Sequence, residues 1–168
     1  MSNKGEVFLT ADTHFGHANI IKYCKRPFSD VHGMDVALIE RWNAVVNDDD
    51  TVFHLGDVGF ADFRTAVWQL NGTIILIRGN HDKPKKDNLY DEVHDVYMLR
   101  HGKYSIWLSH YSHVAWPQKS RGSMHLFGHS HGKLEGVGRS LDIGVDMWDY
   151  TPVHIETAIK ALKKAKEV

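Results

Sequence analysis

A chain of 168 residues, 42% hydrophobic and 24% charged, has the size and composition of one folded domain with a sizeable core, and no stretch has the bias of a disordered tail. Its formal net charge of −1 gives no sign of a nucleic-acid-coating protein, although a local basic groove stays open. The lone cysteine, Cys24, can form no internal disulfide, the first residues lack the apolar core of a signal peptide, and no run approaches the roughly 18 apolar residues of a membrane helix, so a cytoplasmic protein with no membrane partner is expected. Thirteen histidines against a total of 20 lysines and arginines is a large share, and it is their placement that informs.

Residues 6–10 read as a first strand, followed at once by Asp12 and His14. Their two-residue spacing would point both side chains the same way from an extended backbone. Residues 19–23 suit a short helix that stops before Pro27, and 34–46 carry apolar residues at helical spacing. Residues 51–55 form a second apolar strand with Gly56 and Asp57 at its end, and 61–70 suggest a helix capped by Asn71-Gly72. A third strand, 73–77, runs into Gly79-Asn80-His81-Asp82, where Gly79 is expected to let the backbone turn tightly. This alternation implies right-handed crossovers and a parallel sheet in the first half. Beyond Lys83-Pro84-Lys85-Lys86, residues 93–99 and 104–108 pair as a hairpin around Gly102, with His110 just after it. A loop containing Tyr111, His113 and Trp116 precedes a strand at 124–127 that ends in Gly128-His129-Ser130-His131-Gly132. Its aromatic rings suit either stacking on a nucleobase or closing the edge of the sheets. A strand at 140–145 and a basic-faced helix at 155–166 complete a single domain spanning 1–168.

One pattern recurs: an apolar strand, a small residue, then a side chain able to bind metal. It occurs at Asp12/His14, Asp57, Asn80/His81, His110 and His129/His131. Imidazoles mixed with carboxylates suit Mn, Fe, Zn, Co or Ni rather than Ca or Mg. There are too many ligands for one tetrahedral ion, whereas two ions sharing a carboxylate would use them all. Such a pair lowers the pKa of a bridging water and clamps the oxygens of a phosphoryl group, and the chemistry asks in addition for an acid to protonate the leaving alkoxide.

The ordered set Asp12-x-His14, Gly56-Asp57, Gly79-Asn80-His81-Asp82, His110 and Gly128-His129-x-His131 resembles the calcineurin-like metallophosphoesterase family. The resemblance implies an α/β fold, a two-sheet β-sandwich flanked by helices, with a dinuclear metal site at the strand ends. It implies that Asp12, His14, Asp57 and His131 hold one divalent transition-metal ion. Asp57 as bridge, with Asn80, His110 and His129, would hold the other. His81 would be the catalytic histidine. The function implied is hydrolysis of a small, nucleotide-type phosphodiester by a metal-bridging hydroxide; a phosphomonoesterase and an inactive metal-binding scaffold are the alternatives. The partner is then a small phosphate ester. Protein phosphatases of this superfamily carry an Arg where this chain has Lys83 and are far longer, which argues against a phosphoprotein substrate. Asp82 is open between orienting an imidazole and capping a turn, and His17 between touching phosphate and starting a helix. His54 is expected inside the fold rather than on a metal. His32, His94, His101, His125 and His154 read as structural. Arg26, Arg78 and Lys83 are candidate phosphate contacts, since a dianion invites a guanidinium fork.

Overall fold

The computed structural model describes residues 5–83 and 88–164. In chain order its elements are β1 (Val7–Thr10), α1 (Ala18–Tyr23), α2 (Val31–Asn43), β2 (Thr51–His54), α3 (Arg64–Val67), β3 (Thr73–Ile77) and β4 (Glu92–His94). They continue with β5 (Val96–His101), β6 (Tyr104–Ser109), β7 (Met124–Phe127), β8 (Ser140–Asp142), β9 (Val153–His154) and α4 (Ile155–Lys164). A five-stranded sheet runs β4-β3-β2-β1-β9, parallel except at β9, and a four-stranded sheet runs β5-β6-β7-β8, parallel except for the β5/β6 hairpin. The expected two-sheet sandwich flanked by helices is therefore what the chain builds.

The period-two geometry of a strand explains why β1 to β3 are apolar throughout. Leu9, Phe53, Ile75 and Ile77 face the second sheet and pack with Ile106, Leu108, Met124 and Leu126. The alternate residues Phe8, Val52, Ile74 and Leu76 face the other way and pack with Met34, Leu38 and Trp42 of α2. Asp30 starts α2 by accepting the Gly33 N–H at 2.8 Å, four residues before the apolar stripe begins at Met34. No helix among the described residues is long and apolar enough to cross a membrane.

Three elements differ from the sequence reading. Residues 93–99 are two strands, not one: β4 extends the first sheet, the chain crosses over at Asp95, and β5 opens the second. A strand-like pattern on both sides of His94-Asp95 does not reveal such a change of sheet. The helix expected at 61–70 shrinks to Arg64–Val67, because Asp62 takes a left-handed conformation (φ 53°) that no helix can start through. The strand expected at 140–145 ends at Asp142, and Val145–Met147 forms a 3₁₀ turn. The last helix matches to Lys164; residues 165 and 166, like Pro84, Lys85 and Lys86, lie outside the described residues.

Four of the five histidines without a motif make structural contacts. His94 meets Glu92 at 2.8 Å, His101 meets Glu156 at 2.9 Å, and His154 pairs with Glu6. His125 is fully buried; its Nε2 accepts the His113 N–H at 3.0 Å, so the neutral ring keeps its proton on Nδ1 and donates to the Trp107 carbonyl at 3.1 Å. Trp116 is buried against this ring, so Trp116 and His113 close the outer face of the second sheet. His54 is locked the same way: Thr13 gives its hydroxyl proton to the Val58 carbonyl, so His54 Nε2 must donate to Thr13, while Nδ1 accepts the Gly56 N–H. Burial lowers the pKa of each ring to about 4.

A pH dependence of stability follows. In the unfolded chain both rings take up protons below about 6.5, whereas in the fold they resist protonation until about 4. Between those values the unfolded state binds more protons, so stability falls as pH falls, by about 1.4 kcal/mol per pH unit for each ring fully in that window. Urea unfolding at a series of pH values between 7 and 4.5 measures this slope. His125→Gln is expected to make it shallower by one proton's worth, and an unchanged slope would show that His125 is not the group responsible.

Candidate metal centre

Parallel strands bring their carboxyl ends to one side of a sheet, and this fold does so in both sheets at once. Asp12 and His14 follow β1, Asp57 follows β2, Asn80 and His81 follow β3, His110 follows β6, and His129 and His131 follow β7. All eight of these predicted residues come together in one centre. Oxygen and nitrogen atoms of Asp12, His14 and His131 lie within 4.8 Å of one another, and so do those of Asp57, His110 and His129. Asn80 joins the second group, with Oδ1 at 3.0 Å from His110 Nε2.

Asp57 stands between the two groups. Its Oδ2 is 3.7 Å from His14 Nε2 and 3.5 Å from His110 Nε2. His81 Nε2 is 4.0 Å from the same oxygen, with a half-exposed ring lying against Phe60 and its backbone N–H donating to Asp57 Oδ1 at 3.0 Å.

The hydrogen bonds around the centre leave lone pairs pointing inward. His110 Nδ1 donates to the Leu55 carbonyl at 2.7 Å, which in the neutral ring leaves Nε2 as an acceptor facing two more acceptors, Asn80 Oδ1 and Asp57 Oδ2. His131 Nδ1 donates to Asp146 Oδ2 at 2.7 Å and keeps its own Nε2 free of that bond. Asp12 Oδ1 and His14 Nε2 are buried with no hydrogen-bond partner. Burial and the nearby Asp57 carboxylate push the Asp12 carboxyl well above the usual range. Burial, with His131 next in effect, lowers the His14 pKa to about 2, so this ring is neutral. Burial also lowers His129. Acceptors that converge without donors are costly when buried. A cation placed among them removes the cost, so the donor set fits divalent metal ions.

The backbone is unusual at the same places. Asp12, His14, Asp57, His129 and His131 all have positive φ, between 47° and 66°. Asp12 and His14 therefore do not address a common point from an extended strand, as their spacing suggested; each sits in a left-handed turn, which ordinary residues rarely adopt. Gly79 also works differently from expectation. Its φ is not positive; instead a Cβ there would lie 2.3 Å from Asp57 Oδ1 and 2.6 Å from the Asp57 nitrogen. Glycine is needed for close approach, not for the turn.

Three acidic residues and one arginine hold the loops. Asp82 neither orients an imidazole nor caps the turn that follows it. Its carboxylate accepts the backbone N–H groups of Asp57 and Gly79 at 2.7 Å and of Val58 at 3.0 Å, tying the β2 and β3 loops together. Arg26 is buried and is no phosphate contact: it donates to the carbonyls of Asp12 and Thr13 and pairs with Asp146 at 2.8 Å. Burial opposes the Asp146 charge, but hydrogen bonds from His131 and Arg26 prevail and hold its carboxyl below the usual range. Asp146 also lies near Cys24, and Arg26 already supplies the cation for that group. Asp142 accepts from Ser130 Oγ at 2.7 Å and from the Gly132 N–H at 2.9 Å, fixing the loop that carries His129 and His131. Asp142 and Asp146 were missed in the sequence, although a strand followed by Gly144 and a carboxylate repeats the pattern that marked the other corners. Arg78 is taken up by Asp95, and His17 bonds His14, Nδ1 to Nδ1, at 3.3 Å. Of the aromatic loop, Tyr111 alone reaches the centre, 4.6 Å from His129 between ring centroids.

Beside Asn80 and His81 opens a cleft of about 530 Å³, lined by Phe60, Phe63, Leu76 and Tyr90, with Arg64 and Lys83 also on its wall.

Comparison with known proteins points the same way. Residues 27–140 match the calcineurin-like phosphoesterase superfamily domain. An uncharacterized protein of Methanocaldococcus jannaschii is 35% identical over 175 residues, covering 97% of this chain and 94% of that protein. The gene 66 protein of Mycobacterium phage D29 is 30% identical over 193 residues, covering 91% and 93%. A crystal structure of a protein of unknown function from Aquifex aeolicus superposes with a TM-score of 0.77 at 26% identity, over 94% of this chain and 99% of that one.

The crowding of acceptors around Asp57 predicts a stability effect. In metal-free protein, Asp57→Asn removes one of two facing carboxylates and turns an amide toward His110 Nε2 and His14 Nε2. The expected result is a gain of about 1–2 kcal/mol, or roughly 2–6 °C in Tm. Differential scanning calorimetry in the presence of a chelator measures it, and a lower Tm than the unaltered protein would contradict the account.

Proposed function

The chain belongs to the calcineurin-like phosphoesterase superfamily, and on that premise we propose that it hydrolyses a small, nucleotide-type phosphodiester with two divalent transition-metal ions. The observation that carries this reading is Asp57 Oδ2, placed between His14 and His110 at 3.7 and 3.5 Å, where one carboxylate can serve two ions. Asp12, His14, Asp57 and His131 would hold one ion; Asp57, Asn80, His110 and His129 the other. When bound, the ions would supply Lewis-acid charge at the phosphoryl oxygens and lower the pKa of the attacking water.

The side chains supply the rest. The Leu55 carbonyl and Asp146 hold the Nδ1 protons of His110 and His131, so that both Nε2 lone pairs face inward. His81, half exposed and with its backbone pinned by Asp57, stands at the mouth of the centre. It is assigned the transfer of a proton from Nε2 to the departing alkoxide. The apolar cleft beside it, within the ~300–1,000 Å³ range of small-molecule sites, suits the organic part of an ester better than it suits bare phosphate. Its phenyl walls fit a planar group such as a nucleobase.

Two experiments test this. Purified protein with added Mn²⁺ is expected to hydrolyse bis(p-nitrophenyl) phosphate, and Asp57→Ala to abolish turnover and lower bound metal as measured by mass spectrometry. Full activity in Asp57→Ala would remove the proposed bridge. His81→Ala is expected to cut kcat by about 10²-fold or more on esters with poor alkoxide leaving groups, and much less on p-nitrophenolate, which departs without protonation. Equal losses on both would assign His81 to phosphate positioning instead.

A further inference from the structure

The opposite end of the second sheet carries a different chemistry. Lys103 and Tyr104 open β6, Gly122 and Ser123 precede β7, and Arg139 precedes β8. These are the amino ends of the same strands whose carboxyl ends lead into the centre described above. Together with Arg121 and Lys163 they line a polar pocket of about 410 Å³. Four cations line it, and no carboxylate is among its described lining residues. In a chain of formal net charge −1, such a concentration is not a sampling of the average surface.

The groups are placed, not loose. Arg139 Nη1 donates to the Gly122 carbonyl at 2.8 Å, while its Nε–H is buried with no acceptor in the protein. Arg121 ends a 3₁₀ turn, Lys119–Arg121, flanked by left-handed Gln118 and Gly122 at φ 61° and 87°. Lys163 of α4 stands 4.8 Å above the Tyr104 ring and Lys103 stands 5.7 Å from it. The nearby carboxylate on α4, Glu156, is engaged by His101 at 2.9 Å.

We propose that this pocket is a second, non-catalytic anion site that takes a compact phosphorylated ligand of pyrophosphate or triphosphate type. Two guanidinium groups and two ammonium groups around one concavity match a multiply charged anion, which each can meet with charge-assisted hydrogen bonds. An extended nucleic-acid strand is the poorer match. A single strand is gripped by bases stacked on open aromatic faces, and here the Tyr104 ring is already engaged by two lysines.

Calorimetric titration of tripolyphosphate into the metal-loaded protein at low salt is the test. A binding event is expected that persists in Asp57→Asn and weakens at least about tenfold in an Arg121→Ala/Lys163→Ala double variant. Hydrolysis of bis(p-nitrophenyl) phosphate by that double variant should stay within about twofold of the unaltered protein, since both residues lie on the surface far from the centre. In the unaltered protein the backbone amide signals of Gly122 and Ser105 should shift during the same titration, which keeps the proposal testable if the double variant folds poorly. Binding that vanishes in Asp57→Asn and is untouched by the double variant overturns the proposal. So does a single-stranded oligonucleotide that shifts those amides where tripolyphosphate does not.

Discussion

Everything at the centre depends on acceptors drawn together around one carboxylate, two of them, Asp12 Oδ1 and His14 Nε2, buried without a hydrogen-bond partner. Asp57 Oδ1 is held by the His81 backbone N–H, while Oδ2 faces three imidazole nitrogens at 3.5 to 4.0 Å. Two of those rings are buried, and Asp12, the other carboxylate of the group, is buried too. The fold therefore tolerates a destabilised group of acceptors, and a cation is the species that turns it into a favourable one.

Holding acceptors together requires a scaffold that resists their separation. Asp82 ties the β2 and β3 loops through three backbone N–H groups, and the Arg26–Asp146 pair ties the β1 loop to the segment that orients His131. These are charge-assisted contacts, partly buried at Asp82 and fully buried at Arg26, and so stronger than surface ion pairs. They also offset the left-handed backbone at Asp12, His14, Asp57, His129 and His131, which a loop free to relax would abandon. The glycines do related work: with any side chain at Gly79, the β3 loop could not lie against Asp57.

Parallel pairing gives the second sheet two chemically opposite ends. Its carboxyl ends deliver imidazoles to the centre, and its amino ends deliver lysines and arginines to a concave pocket. Because the charges balance over the whole chain, this polarity is invisible in the net charge of −1. A phosphate-handling protein with a near-neutral composition can still hold local fields of opposite character.

The sequence by itself determined the three strands β1 to β3 and the hairpin around Gly102, and it marked the eight motif residues that the fold gathers; β4, β9, Asp142 and Asp146 it did not mark. Strands buried on both faces must be apolar along their length, and a polar cluster directly after such a run has few reasons to exist. That is why Asp12, His14, Asp57, Asn80, His81, His110, His129 and His131 are legible from local pattern alone. What the tertiary structure decided were relations between segments distant in the chain. Whether Arg26 meets phosphate or Asp146, 120 residues away, depends on packing and not on local pattern. Asp82 bonds amides of a neighbouring loop, Gly79 is small because of Asp57, and the strand-like segment 93–99 changes sheets at Asp95. Local periodicity reports how a residue sits relative to its own strand; which group fills the space across from it is set only when the sheets close.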